Sequence, residues 1–219
     1  MARMSALERL LILSPVRAWL QRGEVSAFQR WSALEPGAAL LEVGCANGVS
    51  TELLEHRFRP RRLVALDFDP SMVERARRRL GRLRAGRPIA LAVADATHMP
   101  FADGEFDAVF EAGVVHHVPQ WREALKEMGR VLRPGGLLLF AEPSRGRLTR
   151  GMYRFIPHDP GSMFSAQELV EAVSVAGLKL QGDLRRLPLW DVAGLACRAS
   201  DGGEEAREAN TVRSALFPG

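Results

Sequence analysis

The chain has 219 residues, of which 47% are hydrophobic and 26% charged. This length and composition indicate one globular domain with appendages, large enough to fold without disulfide or metal staples. Small secreted scaffolds and wholesale disorder are therefore excluded as classes. Because the chain has only two cysteines, a zinc ribbon, an iron–sulfur site and a disulfide framework are excluded as well, and we expect no bound metal.

The chain is basic, with a formal net charge of +4 and eleven arginines between positions 57 and 87. Such a cluster also occurs on nucleic-acid-binding surfaces. Here most of the arginines fall on one predicted helix without interleaved aromatic side chains, which favours a solvated helix face. We therefore expect no nucleic-acid partner.

The N-terminus does not resemble a targeting segment. Its apolar run, which includes Leu10 and Leu13, is short and is interrupted by Glu8 and Arg9. No run approaches the roughly 20 apolar residues of a membrane-spanning helix. We expect a cytoplasmic protein without a transmembrane segment, and the sequence leaves open whether the N-terminal helices touch a membrane surface.

Recurring apolar positions predict helices over 5–34, and Pro15 after Ser14 predicts that they are two. We expect 1–35 to form a helical lid and 143–164 to complete an apolar acceptor pocket beneath it. The pocket side chains would be Leu10, Leu13, Trp19, Phe28, Met152, Phe155, Met163 and Phe164. The alternative is that these side chains only pack helices on a sheet.

From position 36 onward, short apolar runs alternate with helical segments. Five runs predict strands, at 39–43, 63–66, 89–94, 106–110 and 137–141. The helices between them are predicted at 51–57, 70–83, 121–132 and 165–176. This alternation predicts a doubly wound, mostly parallel α/β sheet, closed by a hairpin over 178–187 and 191–199. We expect the domain to end at 199 and 200–219 to form a mobile tail.

Ligands of such sheets bind beyond the carboxyl ends of the strands, which directs attention to the loop Gly44–Gly48. The dinucleotide pattern G-x-G-x-x-G fails there, because Ala46 and Val49 occupy two glycine positions. The phosphate-binding pattern that ends in G-K-[ST] is absent too. A tight turn before a helix still suits a carboxylate.

Two acidic residues follow the next two strands. Asp67, 23 residues after Gly44, is placed to accept hydrogen bonds from the hydroxyls of a ribose. Asp95 is placed to accept a hydrogen bond from an exocyclic amine such as that of adenine. The combination predicts a nucleoside without phosphates that carries an amino-acid tail, a description that S-adenosylmethionine fits.

Four collinear motifs over about 38–142 resemble those of class I S-adenosylmethionine-dependent methyltransferases. They read LLEVGCANG, ALDFDPSMVERA, VADATHMPFADGEFDAVFEAGVVHHV and REALKEMGRVLRPGGLLLFAEP. They are similar above all to ubiquinone and menaquinone C-methyltransferases and to natural-product methyltransferases. The resemblance implies a seven-stranded sheet with an antiparallel last strand, S-adenosylmethionine as cofactor and S-adenosylhomocysteine as product.

The resemblance also implies which residues bind the cofactor. The cofactor loop would contain Glu42, Gly44, Cys45, Ala46 and Gly48, with Ala46 replacing the family's usual middle glycine. Asp67 would bind the ribose, Phe68 would flank the adenine, and Asp95 with Ala96 would hold its amine edge. The backbone of Glu111 and Ala112 would receive the methionine ammonium.

Methyl transfer from a sulfonium needs alignment and exclusion of water, and a base only where the acceptor loses a proton. Two histidines are candidate bases: His117, next to His116 after the fourth strand, and His158, in the predicted pocket loop. Structural interpretations compete with both, since a His-His pair also occurs at this corner in the family. Glu142, at the end of the fifth strand, is a candidate to hold the loop that follows it.

We hypothesise a methyltransferase acting on a small lipophilic or aromatic molecule. The alternatives are methylation of RNA or protein, which the basic charge favours, and cofactor binding without turnover. The oligomeric state stays open between a monomer and a homodimer.

Overall fold

The computed structural model describes residues 6–81, 89–150 and 159–199. His158, Met152 and Phe155, as well as the predicted tail, lie outside these ranges. Within them, helices and strands alternate as the apolar pattern predicts.

Two helices precede the sheet: α1 (Ala6–Ile12) and α2 (Pro15–Trp31). The break between them has a local cause, because Pro15 occupies the first turn of α2 and Ser14 caps it, its Oγ accepting the Arg17 backbone N–H at 3.1 Å. The predicted division at Pro15 is confirmed.

The domain that follows contains seven strands. They are β1 (Ala39–Val43), β2 (Arg62–Asp67), β3 (Ile89–Val93), β4 (Phe106–Ala112), β5 (Leu132–Glu142), β6 (Leu178–Leu180) and β7 (Val192–Arg198). The helices are α3 (Val49–Phe58), α4 (Pro70–Leu80), α5 (Trp121–Val131), α6 (Arg145–Leu148) and α7 (Ala166–Val175), with 3-10 turns at Val115–His117 and Pro160–Ser162.

The strands form one sheet in the order β3-β2-β1-β4-β5-β7-β6. β1 to β5 run parallel, and β7 is antiparallel to both β5 and β6. The predicted seven-stranded, mostly parallel architecture is confirmed, and its antiparallel hairpin is shorter than 178–187 and 191–199. The order reverses between β1 and β4, whose carboxyl ends therefore flank the crevice where ligands bind in such folds.

Both faces of the sheet are buried, which explains the continuous apolar runs of its strands. On one face, Leu41 packs with α5 and α7; on the other, Leu40 packs with α2 and α3. Phe28 of α2 belongs to this second core, together with Phe58 and Phe110, whose rings meet edge to face at 5.0 Å. The second N-terminal helix is thus part of the domain core.

The start of β5 differs from the predicted position 137. Leu132 already pairs with Phe106, and the register then shifts before Leu137 pairs with Ala108. The Pro134-Gly135-Gly136 segment is therefore a bulge within the strand rather than a turn before it. The Asp107 carboxylate fixes the bulge, accepting from Arg133 Nε at 2.5 Å and from the Ala39 backbone N–H at 2.6 Å.

Candidate functional site

The loop after β1 approaches its neighbours so closely that two positions require glycine. Gly44 has φ +81°, and a Cβ there would lie 2.1 Å from Val114 Cγ2. Gly48 has φ +80° and caps α3, and a Cβ there would lie 3.1 Å from Ala76. Because Gly48 has no side chain to cap the helix, the first N–H groups of α3 are available to a ligand.

Asp67 connects this loop to the end of β2. Its two carboxylate oxygens accept the backbone N–H groups of Ala46 at 2.8 Å and Asp69 at 2.9 Å. Burial raises the pKa of Asp67, and these hydrogen bonds oppose the shift. Each oxygen retains a further lone pair, so the carboxylate can still accept hydroxyls of a ligand. Ala46 itself has φ +45°, a left-handed conformation that alanine rarely adopts.

Two cofactor-loop side chains point into the protein instead of the crevice. Glu42 is buried, its Oε2 accepts the Thr51 hydroxyl at 2.5 Å, and burial raises its pKa to about 7. Cys45 is also buried, which raises the pKa of its thiol. Both side chains support the loop from the protein interior, so a ligand in the crevice would contact the backbone of the loop.

At the end of β3, Asp95 accepts both the backbone N–H and the hydroxyl of Thr97, at 2.9 and 2.8 Å. Burial raises the pKa of Asp95, but these hydrogen bonds prevail and the net shift is downward, so the carboxylate is ionised. Phe68, after β2, is 38% exposed, whereas the side chain of Ala96 is buried. The strand ends thus bring an exposed ring and a carboxylate to one edge.

The ends of β4 and β5 hold a buried cluster of three ionisable side chains: Glu111, Glu142 and His116. Glu142 Oε1 accepts the backbone N–H groups of Val114 and Val115 at 2.7 and 2.6 Å, and its Oε2 lies 2.6 Å from His116 Nδ1. Glu142 therefore holds the turn after β4, whereas the sequence had favoured the loop that follows its own strand. The Glu142–His116 pair is the feature that sequence reasoning missed.

Glu111 shares this cluster. Its Oε1 accepts the Val114 N–H at 2.9 Å, and its buried Oε2 has no acceptor or donor partner within the described parts of the chain. Burial and the neighbouring Glu142 raise its pKa well above the usual value, and the pKa of Glu142 is raised by burial. The two carboxyl groups therefore titrate as a pair that retains a proton.

Replacing Glu111 by glutamine is expected to raise the free energy of unfolding at neutral pH. A carboxyl whose pKa is raised in the folded state keeps a proton that the unfolded chain has lost. Stability then falls as pH rises from the unfolded value, near 4.5, to the folded one, by up to about 1.4 kcal/mol per pH unit. Glutamine cannot titrate and removes part of this decline.

Urea unfolding at a series of pH values between about 5 and 8 measures this effect. The matched control is Glu123→Gln, because the Glu123 side chain is 55% exposed. If the free energy of unfolding of Glu111→Gln depended on pH as steeply as that of the wild type and of the control, the shared proton would be contradicted.

The turn after β4 carries the histidine pair. His117 is half-buried, and its ring centroid lies 3.8 Å from that of His116. Ser162 donates a hydrogen bond from its hydroxyl to the His116 carbonyl at 2.6 Å, which joins the turn to the segment before α7. The turn that carries His117 is thus held in place through the contacts of the adjacent His116.

Helix α2 contacts this edge through Trp190, which precedes β7. Trp190 Nε1 donates to Glu24 at 2.8 Å, and Arg17 Nη1 lies 2.8 and 2.9 Å from the two Glu24 oxygens. A Cβ on Gly113, just after β4, would lie 2.4 Å from the Trp190 ring. The ring is therefore fixed between α2 and the carboxyl end of β4.

The predicted pocket side chains do not share one environment. Phe28 and Phe164 are buried in the core, whereas Leu10 and Trp19 are exposed by 69% and 66%. Leu13 and Met163 are half-buried. Core packing accounts for Phe28 and Phe164, and the exposed pair remains without a role in the fold.

The arginines of α4 lie away from this crevice. Arg77 and Arg78 pair with Glu74 on the same helix, and Arg79 pairs with Glu52 of α3. These are exposed pairs of the kind that solvated helix faces carry.

A family model described as a methyltransferase domain matches residues 41–140. A Mycolicibacterium smegmatis protein, named a probable S-adenosylmethionine-dependent methyltransferase, is 29% identical over 90% of this chain and 72% of its own. The demethylmenaquinone methyltransferase of Corynebacterium urealyticum is 39% identical over 50% of this chain and 43% of its own. A fatty-acid O-methyltransferase of M. smegmatis is 37% identical over 48% of this chain and 37% of its own. The chain thus spans less than half of the last two relatives.

Among solved structures, an S-adenosylmethionine-dependent methyltransferase from Aquifex aeolicus has a TM-score of 0.72. It is 19% identical, and the match covers 90% of this chain and all of the other. At this identity the likeness shows the fold. The family match over residues 41–140, the relatives and this shared fold together show that the chain is similar to S-adenosylmethionine-dependent methyltransferases.

Proposed function

We propose that the protein transfers a methyl group to a small lipophilic molecule at the carboxyl edge of β1, β4 and β5. The observation that carries this proposal is the hydrogen bond from the Ala46 N–H to the Asp67 carboxylate. It joins a carboxylate that can accept ribose hydroxyls to the glycine-containing loop before α3, whose N-terminus has no side-chain cap. When bound, S-adenosylmethionine supplies an electrophilic methyl group on a sulfonium.

The described residues fit that cofactor. Asp67 would bind the ribose hydroxyls, and Phe68 and Asp95 would hold the two sides of the adenine. The loop Gly44–Gly48 and the first turn of α3 would bind the methionine carboxylate. The backbone at Glu111 and Ala112 would receive the ammonium, beside the Glu111 carboxyl, whose buried Oε2 has no hydrogen-bond partner among the residues that the structure describes.

For an acceptor that loses a proton, His117 is our candidate base. Glu142 and Ser162 fix the turn that carries it, through His116. Positioning by such a buried pair keeps the imidazole aligned with an acceptor without further ordering cost. His158 stays a prediction for the same role.

A lipophilic acceptor is favoured by two observations. Relatives are named for demethylmenaquinone and for fatty acids, which are both lipophilic. The arginine-rich helix α4, which would support an RNA acceptor, uses arginines of its last turn in ion pairs with Glu74 and with Glu52 of α3.

Incubation of the protein with methyl-labelled S-adenosylmethionine and a cell lysate, split into organic extract, RNA and protein, tests the proposal. We expect label in the organic extract. Label in RNA or protein would overturn the choice of acceptor, and no label in any fraction, with cofactor binding intact, would favour a binder without turnover.

The matched control is Asp67→Ala, which we expect to weaken S-adenosylmethionine binding at least about tenfold, since hydrogen bonds to a charged group contribute about 1.5–3 kcal/mol. Calorimetry measures this affinity directly. Wild-type affinity in Asp67→Ala would contradict the placement of the ribose.

A further inference from the structure

The described residues expose six large apolar side chains, and three of them lie on the N-terminal helices: Leu10, Val16 and Trp19. Each is more than 60% exposed. Leu10 lies on α1, which contacts α2, and Val16 and Trp19 lie one turn apart on α2. Apolar side chains this exposed and this close in the chain need an explanation, because single exposed residues are common but groups of them mark contacts.

The exposed charged side chains of α2 have one sign, whereas Arg9 of α1 is paired with Asp69 at 2.9 Å. Val16 and Trp19 share one side of α2 with Gly23, Ser26 and Arg30, which follow at helical spacing. Ser26 is half-buried and the other four are exposed, so these positions form one outward-facing stripe. Arg22, beside the stripe, is also exposed. Between positions 9 and 31 the acidic side chain is Glu24, which is buried against Arg17 and Trp190 on the opposite side of α2.

The opposite side of α2 is occupied by the core. Val25 and Phe28 are buried with α3 and β4, and Gln21 Nε2 approaches Ser50 of α3 at 3.4 Å. The stripe therefore faces outward on a helix whose opposite side packs on the domain core. No helix within the described residues is long and apolar enough to cross a membrane.

From the exposed tryptophan, the flanking arginines and the lack of an exposed acid on α2, we propose that the α1–α2 face (Leu10, Val16, Trp19, Arg22 and Arg30) docks on the surface of an anionic lipid bilayer. The apolar side chains enter the headgroup region, where tryptophan is favoured, and the arginines contact lipid phosphates. This inference deepens the proposed function, because a lipophilic acceptor dissolves in the same bilayer. Docking itself requires neither acceptor nor turnover.

Sedimentation of the full chain with vesicles tests the proposal without an acceptor. We expect binding to vesicles of phosphatidylcholine and phosphatidylglycerol in equal parts, weaker binding to phosphatidylcholine alone, and release as salt screens the arginines. Trp19→Ser is expected to weaken the partition about tenfold, because it removes the largest apolar side chain of the face.

The matched control is Val175→Ser, since Val175 on α7 is 75% exposed and lies on another helix. We expect it to bind vesicles like the wild type. Tryptophan emission gives a second readout: a blue shift with anionic vesicles that is lost in Trp19→Ser.

Three results would overturn the proposal. The first is absence of binding to anionic vesicles by protein that still binds S-adenosylmethionine. The second is equal binding by Trp19→Ser and the wild type, and the third is self-association that Trp19→Ser abolishes, which would assign the face to a second copy of the chain. Because cofactor binding and methyl transfer are measured separately, failure of docking leaves the proposed function intact.

Discussion

Replacing Gly44 by alanine is expected to weaken S-adenosylmethionine binding by at least about a hundredfold and to destabilise the fold. The new Cβ would lie 2.1 Å from Val114 Cγ2 at φ +81°. A left-handed alanine costs about 1–2 kcal/mol and overpacking about 1–3 kcal/mol. The loop can relieve both only by moving away from the contact that places Ala46 against Asp67. Calorimetry of cofactor binding and thermal unfolding measure the two effects.

Gly177→Ala is the matched control. Gly177 has φ +76°, and a Cβ added there would meet no atom within 4 Å, so this variant experiences the backbone strain without the collision. Val114→Ala combined with Gly44→Ala removes the colliding methyl group and should recover part of the lost affinity, as in a double-mutant cycle. Equal losses of thermal stability in Gly44→Ala and Gly177→Ala would show that backbone strain alone explains why position 44 is glycine.

The strands could be predicted from the sequence because a strand that is buried on both faces consists almost entirely of apolar residues. β1 has the predicted bounds, 39–43, and all five of its residues are buried. The cap at the start of α4 was equally local: Asp69 Oδ1 accepts the Ser71 N–H at 2.8 Å, with Pro70 in the first turn. Signals that lie within a few residues of each other determine these elements.

The start of β5 was not readable in the same way. Proline and glycines at 134–136 are typical of a turn, and pairing with β4 overrides that preference by forming a bulge. The deciding contact, Asp107 to Arg133, joins residues 26 positions apart. Local preference cannot report such a contact.

Some residues of the candidate site could likewise be predicted from local sequence, whereas others depend on contacts between distant parts of the chain. Gly44, Asp67 and Asp95 follow successive strands, so the parallel sheet alone brings them to one edge. The buried pair of Glu142 and His116 and the contact of Trp190 with Glu24 join residues 26 and 166 positions apart. A polar residue at the end of an apolar strand, as at Glu142, is the one signal that could have drawn attention to them.

That buried pair leads to the second large effect: Glu142→Ala is expected to lower the free energy of unfolding by about 3 kcal/mol or more. It removes the carboxylate that accepts the Val115 N–H at 2.6 Å and lies 2.6 Å from His116 Nδ1, and a buried polar group that loses its hydrogen bond costs about 1–3 kcal/mol. The cavity adds to the loss. Relief of repulsion with Glu111 opposes it, but the pair of carboxyl groups retains a proton, so this gain is the smaller one.

Glu142→Gln separates the lost acceptor from the lost charge. Its amide oxygen can still accept the Val114 and Val115 N–H groups, so we expect a smaller loss of stability than in Glu142→Ala, measured by urea unfolding of both variants at one pH. If the turn also positions His117, both variants should lose more methyl transfer than S-adenosylmethionine affinity, because Glu142 binds the turn after β4 directly and reaches the loop after β1 only through the packing of Val114 on Gly44. Full stability of Glu142→Ala would contradict the anchoring role. Parallel loss of cofactor affinity would instead show that the buried cluster supports the whole carboxyl edge of the sheet.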